Sequence, residues 1–212
     1  MEQHLIDIEN VLTRLRANQF YCKLTKCDFI RSSVSFLGHI VSEQGISVDP
    51  SITTWPRPHD VHEVRSFLGL CNYYLRFIEN YAQLAAPLTD LLHKQTKFLW
   101  TDTHDDDFTK LKHALTSAPV LQPYDPHLPS TVVLTDASTS ALGAVLEQGM
   151  GDVRHPVAYY SRKLTRAEKN YPTREEELLG IREALRVWKH YLHGVPSFDI
   201  ETDHASLQYI RD

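Results

Sequence analysis

Between Thr131 and Asp203 the hydropathy pattern changes period twice, and this switch restricts the possible folds more than any other feature of the chain. Thr131 to Asp136, Ala141 to Gln148 and Pro156 to Ser161 read as strands separated by polar or glycine-containing turns, which predicts an antiparallel meander. Leu178, Ile181, Leu185, Trp188 and Leu192 then recur at helical steps, marking a helix that ends before Gly194. Thr173 and Glu176 have capping-box spacing at its start. Phe198 to Thr202 returns to strand. A strand reached across a helix joins its sheet in parallel, so the order βββαβ predicts a mixed sheet with the fourth strand parallel to the first.

Parallel neighbours bring their carboxyl ends to one rim, and two acids stand there. Asp136 closes the apolar run from Val132, and Asp203 follows Thr202. Glu177 directly precedes the apolar stripe of the intervening helix, so it borders the sheet. Converging carboxylates raise each other's pKa, and a divalent cation relieves that repulsion. Oxygen ligands without Cys or His suit Mg²⁺ or Mn²⁺, and two such ions about 4 Å apart serve phosphodiester hydrolysis. On spacing alone the same three residues also fit a strand-end turn, a helix-start charge cluster and a cap, and both readings stay open.

The first half of the chain is patterned differently. Leu5, Ile8, Leu12 and Leu15 write a buried stripe along a helix from about residue 3 to 17, with Asn18 as its stop. Tyr21 to Leu24 and Val34 to Val41 read as strands, and Ser42 to Gly45 turns the second into Ile46–Val48, giving a β-hairpin. Pro50, Pro56 and Pro58 set a boundary near residue 50. Asp60 and Glu63 open a long helix carrying Val64, Phe67, Leu68, Cys71, Leu75 and Ile78. A shorter helix holds Leu84 to Leu92. Another spans His104 to Thr116, with Asp105, Asp106 and Asp107 as a first-turn cluster suited to the helix dipole rather than to a metal.

Composition removes several classes of function. Twenty-two Lys and Arg against 27 Asp and Glu give a net charge of −5, which argues against a polybasic nucleic-acid arm but not against a local groove. No apolar stretch approaches the roughly 20 residues of a membrane-spanning helix, and the polar Met1–His4 start lacks a secretory signal pattern. Cys22, Cys27 and Cys71 give no even disulfide framework and no zinc-finger spacing, which points to a reducing compartment. His190 and His193 lack a third ligand nearby.

Thr135-Asp136-Ala137-Ser138, Leu142 to Leu146, Val157 to Leu164, Asn170 to Thr173 and Thr202-Asp203-His204 resemble the ribonuclease H domain of gypsy-class long-terminal-repeat retrotransposon polyproteins. Upstream, Phe36 to His39, Trp55 to Pro58, Val64 to Leu70, Ala85 to Leu88 and Ala114 to Leu121 resemble the end of the palm, then the thumb and connecting segment, of the same reverse transcriptase. The resemblance runs over nearly the whole chain in family order. It implies an α+β molecule: palm end with hairpin over 1–49, helical thumb and connecting segment over 50–118, and a mixed-sheet α/β ribonuclease H-like domain over 119–212 without its C-terminal part. It implies that Asp136, Glu177 and Asp203 are both catalytic residues and metal ligands, holding Mg²⁺ or Mn²⁺ to cut RNA in an RNA/DNA hybrid. Glu177 is chosen over Glu175 and Glu176 because it precedes Leu178 as in the family's Glu-Leu pair.

The resemblance also implies nucleic-acid contacts at Phe36, Leu37, Gly38 and His39, which match a primer grip, and at Arg65 and Arg76 on a basic face shared with Tyr73 and Tyr74. Arg162 and Lys163 read as solvated charges. The partners implied are an RNA/DNA hybrid and the rest of a retroelement polyprotein, in an intracellular setting such as the cytoplasm or a retroelement particle, with no membrane. The polymerase motif Tyr-x-Asp-Asp is expected before Met1 and a fourth carboxylate beyond Asp212, so polymerisation is not expected of this chain. Two alternatives accompany the enzyme reading: a non-catalytic hybrid-binding remnant and a decayed fragment.

Overall fold

The computed structural model describes residues 2–93, 97–150 and 153–203. It divides into two units, residues 1–34 and 35–212. In the first unit, α1 (Glu2–Ala17) follows the expected period and stops where the Asn18 side-chain amide donates to the Arg14 carbonyl at 2.8 Å. The helix forms, but the expected burial does not: none of its residues is buried. The expected strand at Tyr21 to Leu24 is also absent. Leu24–Lys26 tighten into a 3-10 turn whose N–H groups are satisfied locally, Lys26 by Lys23 and Cys27 by Leu24.

β1 (Ser33–Phe36) straddles the division between the units. The single strand expected over Val34 to Val41 is interrupted at Leu37 and Gly38, whose φ values of 49° and 77° are those of a type I′ turn. β2 (His39–Ser42) therefore starts afresh and pairs antiparallel with β3 (Gly45–Val48), Ser42 opposite Gly45, as the hairpin pattern predicts. Gly45 has a φ of +125°, and a Cβ there would lie 2.4 Å from the Leu121 carbonyl oxygen. Only glycine allows that approach, which lets Ile46 and Leu121 exchange backbone hydrogen bonds of 2.8 and 2.9 Å.

α2 (Val61–Tyr73) is capped by Asp60, whose carboxylate accepts the Glu63 N–H at 2.7 Å. It ends before the expected Leu75 and Ile78, which lie in and after a 3-10 turn at Leu75–Phe77. The helix expected over Leu84 to Leu92 is two short ones, α3 (Tyr81–Leu84) and α4 (Ala86–Asp90), because Pro87 has no N–H for a continuous ladder and instead sits in the first turn of α4. α5 (Asp102–Thr116) completes this block. Its acids serve packing: Asp105 takes the Trp100 indole N–H at 2.8 Å and pairs with Arg57 at 3.1 Å. Phe67, Phe77, Leu88, Leu111 and Leu115 fill the core between these helices. Each such side chain contributes roughly 1.5–3 kcal/mol by leaving water.

β4 (Ser130–Ala137), β5 (Ala141–Met150), β6 (Val153–Lys163), α6 (Thr173–Val187), α7 (Lys189–Leu192) and β7 (Asp199–Thr202) follow in the predicted order. The sheet runs β6-β5-β4-β7, antiparallel except for β4 and β7, which are parallel with Thr135 opposite Thr202. Val133, Ala144, Leu146 and Val157 pack against Ala184, Trp188 and Leu192.

Two details of α6 differ from expectation. Its N-cap is Pro172, with no side-chain cap, so Thr173 and Glu176 form no capping box; proline's restricted φ, here −60°, sets the chain's entry instead. Of the expected stripe Leu178, Ile181, Leu185, Trp188 and Leu192, the last two are buried and Leu185 packs against the core, but towards the start of α6 the buried face is rotated. Leu178 is 38% exposed, while Glu177, Leu179, Gly180, Glu183 and Ala184 are buried. A glutamate can occupy that face because Arg182 and Arg186 donate to the Glu183 carboxylate at 2.9 and 2.8 Å.

Candidate metal centre

Asp136 lies near the carboxyl end of β4, opposite Gly143 of β5, and Asp203 follows the last residue of β7. Because these strands are parallel neighbours, both acids reach the same rim. α6 crosses back over β4 and delivers Glu177 from its buried side. One carboxylate oxygen from each of Asp136, Glu177 and Asp203 lies within 4.8 Å of the others, and among the described residues this is the group with metal-ligand spacing.

The environments of the three acids are unequal. Glu177 is buried, whereas Asp136 and Asp203 are exposed, so the site is a shelf with one interior carboxylate and two at the solvent edge. The Thr202 hydroxyl donates to Glu177 Oε2 at 3.5 Å, a long bond that orients the interior carboxylate. Thr135, facing Thr202 in the register, carries a buried hydroxyl without a hydrogen-bond partner. Three oxygen donors so close repel one another unless a cation intervenes, and a set without nitrogen or sulfur matches hard ions such as Mg²⁺ or Mn²⁺. The residues present therefore fit a divalent metal.

Asp136 and Asp203 also line a cavity of about 420 Å³, together with Leu134, Val145, Glu79 and Asn80. Periodicity gave no reason to place the last two there, since they lie in a turn of the helical block. The one local signal is Asn80 itself, a residue type that tolerates the left-handed conformation it adopts, at φ 52°.

The residues expected to touch nucleic acid are divided between two places. Phe36 and Leu37 are 62% and 71% exposed at the tip of the type I′ turn. The turn is held from below, because the Tyr73 hydroxyl donates to the Leu37 carbonyl and the Tyr74 hydroxyl to that of Gly38. His39 stacks between Tyr73 and Phe77, at centroid distances of 5.2 and 5.3 Å. Burial, then the Arg76 charge, holds its pKa below the ordinary histidine value. Arg76 lies over the Phe77 ring and belongs to this cluster. Arg65 instead lines a cleft of about 400 Å³ with Asn72, Arg162 and Lys163. There Arg162 forks onto Glu168 and Lys163 pairs with Asp90 at 3.3 Å, so neither is a merely solvated charge.

Comparison with known proteins gives this geometry a context. Residues 100–200 match the model of the RNase H-like domain found in reverse transcriptase. The Tf2-3 and Tf2-4 transposon polyproteins of Schizosaccharomyces pombe are each 36% identical over 212 residues, covering 97% of this chain. The chain spans 16% of the length of those relatives. Among solved structures, foamy viral protease-reverse transcriptase dRH in complex with double-stranded DNA superposes with a TM-score of 0.85 at 24% identity, over 98% of this chain and 37% of that one. The foamy viral protease-reverse transcriptase in complex with an RNA/DNA hybrid gives 0.84 at 24% identity, over 98% and 29%. At that identity the likeness is one of fold.

Proposed function

Proceeding from the match of residues 100–200 to the RNase H-like domain found in reverse transcriptase, we propose that this chain is part of a gypsy-class retrotransposon polyprotein and hydrolyses the RNA strand of RNA/DNA hybrids. The observation that carries the reading is the meeting of Asp136, Glu177 and Asp203 within 4.8 Å at the end of two parallel strands. Asp136, Glu177 and Asp203 would hold Mg²⁺ or Mn²⁺. Such ions supply a Lewis acid for the phosphodiester and charge for the leaving oxygen. Buried Glu177 fixes one side of the ligand set, while Asp136 and Asp203 face the cavity through which a backbone phosphate would approach.

The helical block acts as a thumb and connecting segment in this reading. Phe36 and Leu37, on a turn fixed by two tyrosine hydroxyls, would press on a strand of the duplex, and Arg65 and Arg76 would meet phosphates. Such contacts weaken with salt.

The test is cleavage of a labelled RNA/DNA hybrid by the 212-residue chain with Mg²⁺, with Mn²⁺ and with a chelator, beside calorimetric Mn²⁺ titration. Asp136→Asn, Glu177→Gln and Asp203→Asn should each lower cleavage by a hundredfold or more, on the order of what losing a charged transition-state stabiliser costs. Their combination should be no worse than the most damaging single change, because each disables the same assembly. Metal-independent cleavage, or full activity in Asp136→Asn, would sink the proposal. Saturable Mn²⁺ binding without cleavage would leave a metal-binding module in place of an enzyme.

A further inference from the structure

The acid cluster is braced from outside its own sheet. Ile78 and Tyr81 are buried, and between them the chain makes a turn in which Asn80 takes a φ of 52°. Asparagine tolerates this left-handed conformation, and here it brings its side chain to Asp136's own hairpin. The Asn80 Oδ1 lies 3.0 Å from where a Cβ on Gly143 would stand, so the carboxamide packs closely on Gly143, the cross-strand partner of Asp136.

Two further bonds fasten the segment. The Ala82 N–H donates to the Ser161 hydroxyl at 3.0 Å, and Gln83 Nε2 donates to Ser138 Oγ at 2.8 Å across 55 positions of sequence. Ser138 is the residue that turns β4 into β5: its hydroxyl donates to the Ala141 carbonyl and accepts the Ala141 N–H. The Ser140 N–H also points at this oxygen, at a longer 3.5 Å, so the Gln83 amide, at 2.8 Å, is its shortest donor.

From these contacts we infer that residues 79–83 form a positioning element for the acid cluster, with Gln83 fixing the turn two residues after Asp136 and Asn80 fixing the strand opposite it. The element lies upstream of the match at residues 100–200 and rests on the reading of Asp136, Glu177 and Asp203 as metal ligands. Gln83 touches no reacting atom; it acts through Ser138.

The test measures Mn²⁺ affinity of the full chain by calorimetry, with the thermal midpoint followed in parallel. Gln83→Leu keeps the bulk and removes the donor. It should weaken Mn²⁺ binding about three- to tenfold, the loss of one neutral hydrogen bond transmitted to the ligand set, with the midpoint unchanged because the pair is exposed. In a Ser138→Ala background the same change should cost nothing further. If Asp136→Asn abolishes Mn²⁺ binding while Gln83→Leu binds as tightly as the unaltered chain, the positioning role is wrong and the metal site stands. Additive losses in the double variant would equally overturn it, because Gln83 would then act elsewhere than through Ser138. Mn²⁺ affinity that survives Asp136→Asn would remove both the metal site and its brace.

Discussion

α1 and α6 are both amphipathic helices of about four turns with acids early and arginines late, yet they meet opposite fates. α1 leaves Leu5, Ile6, Val11 and Leu12 substantially exposed and buries no residue. α6 buries six, three of them glutamates. Period therefore specifies that a helix has two faces, but not which face a neighbour covers. In α6 the neighbouring sheet supplies the cover, and arginines from the exposed side neutralise the buried Glu183. The stripe of α1 has the sequence of a buried face without the burial.

The contrast breaks most easily with paired truncations. Trp188→Ala removes a side chain packed between α6 and the sheet and should lower stability by about 3–5 kcal/mol in urea unfolding. Leu12→Ala in α1 should stay within about 0.5 kcal/mol, as exposed substitutions do. Similar losses from the two would show that α1 is covered in solution.

Thiol chemistry sharpens the same comparison without mutation. Cys22, in the first unit, is exposed, whereas Cys71 is fully buried in α2, with its thiol pushed up to about 12 by burial. Alkylation followed by mass spectrometry should modify Cys22 at once and Cys71 at least about a thousandfold more slowly, at the rate set by opening of the core. Equal rates would mean that the second unit lacks a stable core.

A smaller effect tests the clamp on the type I′ turn. Tyr74→Phe deletes the hydroxyl that holds the Gly38 carbonyl and should cost about 0.5–1.5 kcal/mol, while Tyr21→Phe, at a fully exposed position in the first unit, should cost nothing measurable. If hybrid affinity falls together with stability in Tyr74→Phe, the turn is a contact as well as a brace.

The smallest effect is electrostatic. The Arg162 fork, then the Thr165 N–H, holds the Glu168 carboxyl well below the ordinary 4.5, at about 2. A depressed folded pKa contributes stability that is present above the unfolded value and is lost as the pH falls from about 4.5 towards 2. Thermal melts of the unaltered chain and Glu168→Gln should therefore differ at pH 7 and converge near pH 2. A constant gap across that window would show that the pair contributes through packing rather than charge.

The sheet and the acid site were legible because both follow from short-range pattern. Period two, a helical stretch and a return to period two leave one economical topology, and that topology carries Asp136 and Asp203 to a common rim. What stayed hidden depended on partners distant in sequence. Nothing near Leu178 announces that α6 also turns Glu183 inward, where Arg162 from β6 reaches its carboxylate beside the neighbouring Arg182 and Arg186. Val34 to Val41 reads as one strand because Leu37 is a residue that rarely adopts positive φ; two tyrosine hydroxyls at the end of α2 hold the turn in the structure. Asn80 and Gln83 sit on short helical pieces whose pattern says nothing of the sheet they touch.

The strand order also determines how the molecule meets copies of itself. Among the described residues β6 and β7 are the outer strands, and an open edge invites pairing with another chain. β6 carries Pro156, which offers no N–H and whose carbonyl already accepts from Gln122 at 3.0 Å, beside a register shift at Leu146 and Glu147. β7 is four residues long, with Asp199 and Glu201 within it and Asp203 directly after it. Asp203, one of the acids that would gather a cation, therefore also belongs to the charged rim that keeps a second sheet from adding there. Neutralising these acids trades solubility for self-association, so charge-removing variants at this rim call for concentration-dependent light scattering alongside any metal titration.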